Sequence, residues 1–205
     1  MNVEAHPLEP FLPINATVLM LGSFPPPRKR WCMDFYYPNF TNDMWRILSL
    51  VFYGVKDHFV LDGEKSFNLP LILDFLNEKG IAIFDSATEV VRLQNNASDK
   101  FLQVERETNL TELLRKIPAC RALVSTGQKS AEIVSGQFKI NVPKVGQWIS
   151  FEFENREMRF FRMPSSSRAY PLSLEKKAQY YRGVFDYVSK FHNLDVRQSV
   201  FFDKN

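Results

Sequence analysis

Short apolar runs alternate along this chain with longer stretches in which apolar residues recur at helical spacing. This alternation is typical of parallel strands that are joined by helices. Glycine or serine closes each of four runs, as is common where a strand enters a functional loop. The predicted strands cover residues 16–23, 80–86, 121–127 and 158–165. The pattern therefore predicts an α/β fold.

The stretches between and after these strands predict helices at 42–53, 70–79, 108–116, 129–135 and 173–191. Ser173 stands where an N-cap residue of the last helix is expected. Residues 146–153 alternate between polar and apolar side chains, which predicts an additional strand antiparallel to the fourth. The sequence contains no internal repeat, so nothing indicates a solenoid.

Length and composition predict one domain. A chain of 205 residues with 45% hydrophobic residues can bury one substantial core. We expect a single domain over 1–205, with its core at about 16–192 and a loosely attached tail at 193–205. We also expect a monomer.

Charge and cysteine content exclude several classes of protein. The formal net charge of +3 is too small to identify a nucleic-acid binder by itself. Cys32 and Cys120 are too few for a disulfide framework, a cysteine-held iron–sulfur cluster or a zinc site built on cysteine pairs. The N-terminus lacks an export signal, and no apolar run is long enough to span a membrane. We therefore expect a cytoplasmic protein that has no metal, no cofactor and no membrane association.

In open α/β sheets, ligands bind beyond the carboxyl ends of the strands. Neutral hydrogen-bonding and aromatic residues dominate the segments that follow the predicted strands. These segments contain Gly22, Ser23, Phe24, Tyr36, Tyr37, Asn42, Asp85, Ser86, Gly127, Gln128, Ser165, Ser166, Ser167 and Arg168. Aromatic rings for stacking, amides for reading base edges, and serine and arginine for phosphates suit a nucleobase still attached to its backbone.

Other chemistries have little support. No glycine-rich phosphate-binding motif and no HExxH metal motif occurs. A serine hydrolase needs a histidine near its nucleophile, but His6, His58 and His192 do not follow predicted strands. We interpret these histidines as surface or packing residues.

Four segments together resemble the uracil-DNA glycosylase superfamily. The first is GSFP at 22–25, followed by YY at 36–37 and NDMW at 42–45, which is similar to the signature GSxPG…YYxxPxNxFW. MPSSS at 163–167 is similar to the second signature, LPSTS. GIAIFD at 80–85 is similar to a GIxLWD strand, and Arg92 with Ser98 and Asp99 loosely matches an R…GSxD segment. The hypoxanthine-type glycosylases are the most similar subfamily, followed by the mismatch-specific uracil and thymine glycosylases.

The resemblance implies a three-layer α/β/α sandwich around a central four-stranded parallel sheet. It also implies a monofunctional, metal-free enzyme of base-excision repair. Such an enzyme hydrolyses the N-glycosidic bond of a damaged or mismatched base that is flipped out of DNA.

The resemblance assigns roles within the predicted cleft. Asn42 matches the asparagine that orients the attacking water or contacts the base, and Asp85 is a second candidate for the catalytic group. Tyr37 takes the position of the stacking aromatic, and Gly22, Ser23 and Phe24 form the base-binding turn, whose amides would donate to a base carbonyl. Each has a structural alternative: Asn42 as an N-cap, Asp85 as a cap of the next segment, and Tyr37 in the core.

Two further segments are predicted to bind the DNA backbone. Ser165 and Ser166 would bond phosphates, and Ser167 and Arg168 take the position of a wedge that enters the duplex. The remaining predicted DNA-binding residues form a basic run: Arg28, Lys29 and Arg30. Alternatively, residues 165–167, which we call the serine segment, form a surface turn, and the basic run is a solvated loop.

A catalytically silent DNA- or nucleotide-binding module is the alternative function. Phe24 stands where many members carry a water-activating polar residue, and Pro26 replaces the glycine of the first signature. Met163 stands where the classical uracil enzymes have a catalytic histidine. An unrelated α/β hydrolase ranks last because no nucleophile stands beside a base.

Overall fold

The computed structural model describes residues 2–93 and 101–201, with side chains as far as residue 191. The strands in chain order are β1 (Val3–Ala5), β2 (Val18–Gly22), β3 (Ile81–Asp85), β4 (Ala87–Arg92), β5 (Leu102–Glu107), β6 (Ala122–Ser125), β7 (Gln147–Phe153) and β8 (Arg156–Arg162). The helices are α1 (Met44–Tyr53), α2 (Leu69–Lys79), α3 (Leu110–Lys116), α4 (Gln128–Phe138) and α5 (Leu174–Phe201).

The central sheet has five strands in the order β3-β2-β6-β8-β7. The first four run parallel, and β7 pairs antiparallel with β8 at one edge. The predicted four-stranded parallel sheet is therefore corrected to a mixed five-stranded sheet. The antiparallel strand is the one that the alternation at 146–153 predicts.

Burial explains why β2 and β3 appear as continuous apolar runs. Every residue of both strands is buried, as expected for parallel strands that are covered on both faces. Strand β7 is an edge strand in which exposed and half-buried residues alternate from Trp148 to Glu152.

Helices cover both faces of the sheet. Across the sheet, the chain moves from β2 to β3 towards one edge, and from β3 through β6 to β8 towards the other edge. Because such crossovers are right-handed, α1 and α2 lie on one face of the sheet and α3 and α4 on the other. Helix α5 packs on α1, and its Phe185 meets Phe52 of α1 with 4.7 Å between ring centroids. This arrangement agrees with the predicted α/β/α layers.

A second sheet is absent from the sequence-based prediction. It has three strands in the order β1-β4-β5, all antiparallel. Strand β1 has only three residues, and its partner lies far along the chain, with Val3 opposite Val91. Such a pairing leaves no local pattern in the sequence.

Helix α5 ends at Phe201 rather than at the predicted Phe191, so most of the predicted tail at 193–205 is helical. Ser173 caps this helix as predicted, since its Oγ accepts a hydrogen bond from the Lys176 amide at 3.3 Å. Ser98 and Asp99 of the family resemblance lie outside the described residues. Within 2–93 and 101–201, no helix has the length and apolar character needed to cross a membrane.

Candidate functional site

The cleft at the switch point

A cleft of about 480 Å³ lies between β2 and β6, where the order in which the chain adds strands to the central sheet reverses. Ligands of open α/β sheets bind at such switch points, beyond the carboxyl ends of the strands. Segments that follow β2, β3, β6 and β8 all reach it. The predicted site residues that line it are Gly22, Ser23, Phe24, Arg30, Tyr37, Asn42, Asp85, Ser165, Ser166 and Ser167. Arg28, Lys29 and Arg168 are not among its lining residues.

Asp85 ends β3 beside Gly22, which ends β2. A Cβ atom added to Gly22 would clash with Oδ1 of Asp85 and would lie 3.8 Å from the Tyr37 hydroxyl. Glycine therefore lets a carboxylate sit directly against the backbone of the neighbouring strand. The amides of Ser86 and Ala87 donate to the carbonyls of Gly22 and Ser23, so the carboxylate of Asp85 does not serve as their cap.

Sequence reasoning missed a contact between His6 and Asp85. Its Nε2 lies 3.0 Å from Oδ2 of Asp85, and the exposed fractions of the two side chains are 4% and 9%. These residues are 79 positions apart, and His6 directly follows the short strand β1, which the sequence did not predict. The interpretation of His6 as a surface or packing residue overlooked this pairing.

The two adjacent tyrosines have different environments. Tyr36 is 2% exposed, and its hydroxyl donates to the Glu9 carbonyl at 2.7 Å. Burial, and then the nearby Asp85 and Glu9 carboxylates, raise the pKa of Tyr36 far above its ordinary value. Tyr37 is half-buried in the cleft, and its hydroxyl lies 3.2 Å from Oγ1 of Thr126.

The backbone of Tyr37 is in the left-handed region, with φ of 48°. This conformation costs on the order of 1–2 kcal/mol for a residue with a side chain. Strain of this kind is often found at functional sites, where the surrounding structure enforces it. Here it places Tyr36 in the core and Tyr37 at the cleft.

Asn42 lines the cleft and lies two residues before α1, directly before the N-cap residue Asp43. Its Oδ1 accepts a hydrogen bond from the Met44 amide at 2.9 Å, which is a capping interaction. Its backbone forms an antiparallel bridge with Ser167. One lone pair of the side-chain oxygen is thus engaged by the helix, and the side-chain NH2 group is suited to donate to a ligand.

The loop after β2 is fixed from several sides. The Arg92 guanidinium donates to the Pro25 carbonyl and lies 5.5 Å from the centre of the Phe24 ring. The Trp31 indole donates to the Pro26 carbonyl at 2.7 Å. Phe24 also packs on the apolar side chains of the second sheet, which explains an apolar residue at this position of the turn.

The basic run forms an exposed 3₁₀ turn over Arg28–Arg30. Arg28 pairs with Asp34 at 2.6 Å and stacks on Trp31 with 4.2 Å to the ring centre. Arg30 lies at the wall of the cleft. The turn therefore presents exposed cations beside the opening.

Side chains of helix α5 bind the backbone of the serine segment and of Pro164 before it. Lys177 donates to the Ser167 carbonyl at 2.8 Å, and the Tyr181 hydroxyl donates to the Pro164 carbonyl at 3.0 Å. The Asp43 amide donates to the Ser166 carbonyl at 2.9 Å. Burial raises the pKa of Tyr181 well above its ordinary value, so this donor keeps its proton at neutral pH.

Arg168 binds Asp43, with Nη2 3.2 Å from Oδ1, and its side chain is 54% exposed. Its guanidinium therefore lies at the surface next to the serine segment. The wedge role of Arg168 stays a prediction.

A larger cavity of about 600 Å³ has Asp43 and Arg168 in its lining. Charged side chains of both signs line it, among them Arg46, Asp57 and Glu64. It includes none of the segments that directly follow β2, β3 and β6. We therefore assign the candidate site to the smaller cleft. Among the residues that the structure describes, no group of three or more His, Cys, Asp or Glu side chains is arranged to hold a metal ion.

Comparison with known proteins

No protein-family model and no curated protein matches this chain. Among solved structures, it is similar to the solution NMR structure of a protein from Methanosarcina acetivorans described as a "putative Uracil DNA glycosylase". The TM-score is 0.59 at 20% sequence identity, and the match covers 92% of this chain and 99% of the other. At this identity the comparison shows that the two proteins share a fold.

Proposed function

We propose that this protein is a monofunctional DNA glycosylase that removes a flipped-out deaminated base, of the uracil or hypoxanthine class, in base-excision repair. The observation that carries the proposal is the Asp85 carboxylate beside Gly22 in a cleft that Tyr37 and the serine segment also line. The shared fold with the Methanosarcina acetivorans protein supports it. The hypoxanthine-type signatures in the sequence support the choice of subfamily.

The reaction breaks the bond between the sugar C1′ and a base nitrogen. Positive charge develops on the sugar and negative charge on the leaving base, so catalysis requires a placed water and donors that face the base. Among the described residues that line the cleft, Asp85 carries the only carboxylate. Its Oδ1 is suited to accept a hydrogen bond from the attacking water and to stabilise the cationic sugar.

Base recognition would rest on one aromatic ring and a few polar groups. A volume of about 480 Å³ lies within the usual range for small-molecule pockets, about 300–1,000 Å³. Tyr37 would stack on the flipped base, and the Asn42 NH2 group would donate to its edge. Flipping costs a few kcal/mol, and the cost is lowest for a mispaired base, which itself contributes to selection.

The DNA backbone would contact two sides of the cleft. The Arg28–Arg30 turn supplies cations, and the hydroxyls of Ser165 and Ser167 are suited to phosphate oxygens, whereas Ser166 is buried. Helix α5 fixes the carbonyls of the serine segment. The serine hydroxyls at the cleft would therefore meet DNA with little rearrangement of the backbone.

A catalytically silent DNA-binding module on the same fold is a second candidate. One observation favours it: Oδ1 of Asn42 already accepts a hydrogen bond from the Met44 amide, which leaves it one lone pair with which to orient water. In this alternative the protein would bind DNA that contains a damaged base without releasing that base.

Single-turnover base release with enzyme in excess separates the two candidates. Labelled oligonucleotides would carry uracil, hypoxanthine, xanthine or a thymine mismatch, in single and double strands, and abasic sites would be cleaved with alkali. We expect the wild type to release one of these bases and Asp85→Asn to be at least about 10²-fold slower. Glu152→Gln, which changes an exposed carboxylate of β7, is the matched control. Retained DNA binding without release of any of these bases would favour the silent module.

A further inference from the structure

The short strand β1 brings a histidine to the cleft. Its last residue, Ala5, pairs with Glu89 of β4, and the His6 amide donates to the Thr88 carbonyl at 2.8 Å. The backbone of His6 is therefore fixed to the strand that begins two residues after Asp85.

Contacts on several sides fix the orientation of the His6 ring. The ring centroid lies 5.2 Å from that of Phe24 and 4.8 Å from that of Phe84. Nδ1 lies 2.8 Å from the Leu8 carbonyl oxygen and 3.1 Å from the Leu8 amide nitrogen. Because the Asp85 carboxylate is an acceptor, we assign the hydrogen of this pair to Nε2; in the tautomer that carries it there, Nδ1 accepts from the Leu8 amide.

A hydrogen bond to one carboxylate oxygen leaves the other for a ligand. Oδ1 of Asp85 lies against Gly22, and both residues line the cleft together with Tyr37. A carboxylate at the base of a cleft can rotate about its terminal bond unless a second group holds it. The His6 hydrogen bond prevents this rotation and keeps Oδ1 in one position.

We propose that His6 is a positioning residue of the glycosylase reaction, one that holds Asp85 in the orientation in which Oδ1 binds the attacking water. This inference rests on the proposed function. In the step, the water oxygen forms a bond to C1′, the C1′–N bond breaks with its electron pair on the leaving base, and the water proton passes to Oδ1. The Nε2 hydrogen stays on His6 throughout, so the imidazole orients the carboxylate and does not react.

Three His6 variants test the proposal by single-turnover base release. His6→Phe keeps a ring but removes the donor, and we expect the maximal rate to fall by about 10- to 100-fold, as for a lost hydrogen bond to a charged group. The enzyme concentration at half-maximal rate should be unchanged. His6→Gln places an NH2 group near the Nε2 position and should restore the rate to within about 3-fold, whereas the shorter His6→Asn should not.

A double variant tests whether His6 acts through Asp85. In an Asp85→Asn background, His6→Phe should cause no further loss of rate. The matched control is His58→Phe, since His58 stacks on Tyr53 with 3.8 Å between ring centroids and is not among the residues given as lining the cleft. Its rate should equal that of the wild type.

The outcomes separate this inference from the function on which it rests. An active wild type with an unimpaired His6→Phe variant, or with His6→Gln as slow as His6→Phe, would overturn the inference and leave the function intact. A wild type that releases no base would overturn both. If the His6 substitutions prevent folding, the ¹⁵N chemical shift of Nε2 can be measured in a protein that keeps His6, with and without Asp85→Asn. A chemical shift that Asp85→Asn does not change would overturn the pairing of His6 with Asp85.

Discussion

Lys177 of α5 and Asp43, which lie 134 positions apart in the chain, form a buried ion pair with Nζ 3.0 Å from Oδ2. The Lys177 side chain is 0% exposed. The same ammonium donates to the Ser167 carbonyl, so one buried cation joins α5, the start of α1 and the serine segment. The position of the proposed phosphate-binding hydroxyls therefore depends on a residue outside the cleft.

Lys177→Met should destabilise the fold because it leaves the buried Asp43 carboxylate with Arg168 as its remaining cationic partner. Removal of one member of a buried pair typically lowers the free energy of unfolding by about 3–5 kcal/mol. Since Arg168 still contacts Asp43, we expect the lower end of this range, measured by urea denaturation. Lys176→Met, at the exposed neighbouring position, is the control. Equal stability of the two variants would contradict the assigned role of Lys177.

Much of the central sheet can be predicted from the sequence because its strands are buried on both faces and appear as uninterrupted apolar runs. Strand β7 is also predictable, since its side chains alternate. Strands β1, β4 and β5 are not, because β5 is mostly exposed and polar and β1 pairs with a segment far along the chain. Long-range pairing of short strands has no local signature.

Some residues of the candidate site can likewise be predicted from the sequence, and others cannot. The residues after each strand can be predicted to meet because parallel strands end at the same edge of a sheet, and ten of the predicted site residues do line the cleft. His6 and Lys177 could not be assigned, because a histidine near the N-terminus and a lysine in an amphipathic helix are usually exposed. Their partners depend on tertiary packing.

Gly22→Ala should displace the Asp85 carboxylate, because the added methyl group would clash with Oδ1. We expect base release to fall by at least about 10²-fold, the contribution of a placed acid–base group. The free energy of unfolding should fall by about 1–3 kcal/mol, as for other overpacked sites. Single-turnover rates and urea denaturation measure the two effects.

Gly183→Ala is the matched control for this substitution. Gly183 lies within α5 with no atom near its added Cβ position. Alanine there should raise the free energy of unfolding by about 0.8–1 kcal/mol, the difference in helix propensity, and should leave base release unchanged. A Gly22→Ala variant that behaved like this control would rule out the close packing against Asp85.

Tyr37→Leu should weaken binding of the flipped base because it removes the stacking ring. Stacking is worth about 1–3 kcal/mol per base, so affinity should fall by about 5- to 150-fold. Fluorescence anisotropy with an oligonucleotide that carries a non-hydrolysable analogue of the excised nucleotide measures the loss. Tyr37→Phe, which keeps the ring and removes the hydroxyl that contacts Thr126, should stay closer to the wild type. Affinity for undamaged DNA should be the same in all three proteins.

Lys29→Ala and Arg30→Ala should reduce the salt dependence of DNA binding. Each phosphate contact contributes about 0.9 to the slope of log K against log salt for duplex DNA, so each substitution should flatten the slope by about that amount. Arg115→Ala is the control, since Arg115 pairs with Glu154 and lies at the end of the helix that precedes β6, away from the strand ends that form the cleft. An unchanged slope in both variants would exclude Lys29 and Arg30 from the DNA interface.

Asn42 combines a capping role with a proposed catalytic role, and two substitutions separate them. Asn42→Ala removes the acceptor for the Met44 amide, so the free energy of unfolding should fall by about 1 kcal/mol. It also removes the NH2 group, and base release should fall by about 10²-fold or more. Asn42→Asp keeps an acceptor at the start of α1, where negative charge is favourable, and should have the stability of the wild type.

The rate of Asn42→Asp is decisive because this variant has no side-chain NH2 group. If that group donates to the leaving base, Asn42→Asp should be as slow as Asn42→Ala, because a carboxylate there would repel the negative charge that develops on the base. Wild-type rate together with wild-type stability in Asn42→Asp would mean that Asn42 acts as a cap alone. The polar contacts to the base would then have to come from other groups that line the cleft, such as Tyr37 and Thr126.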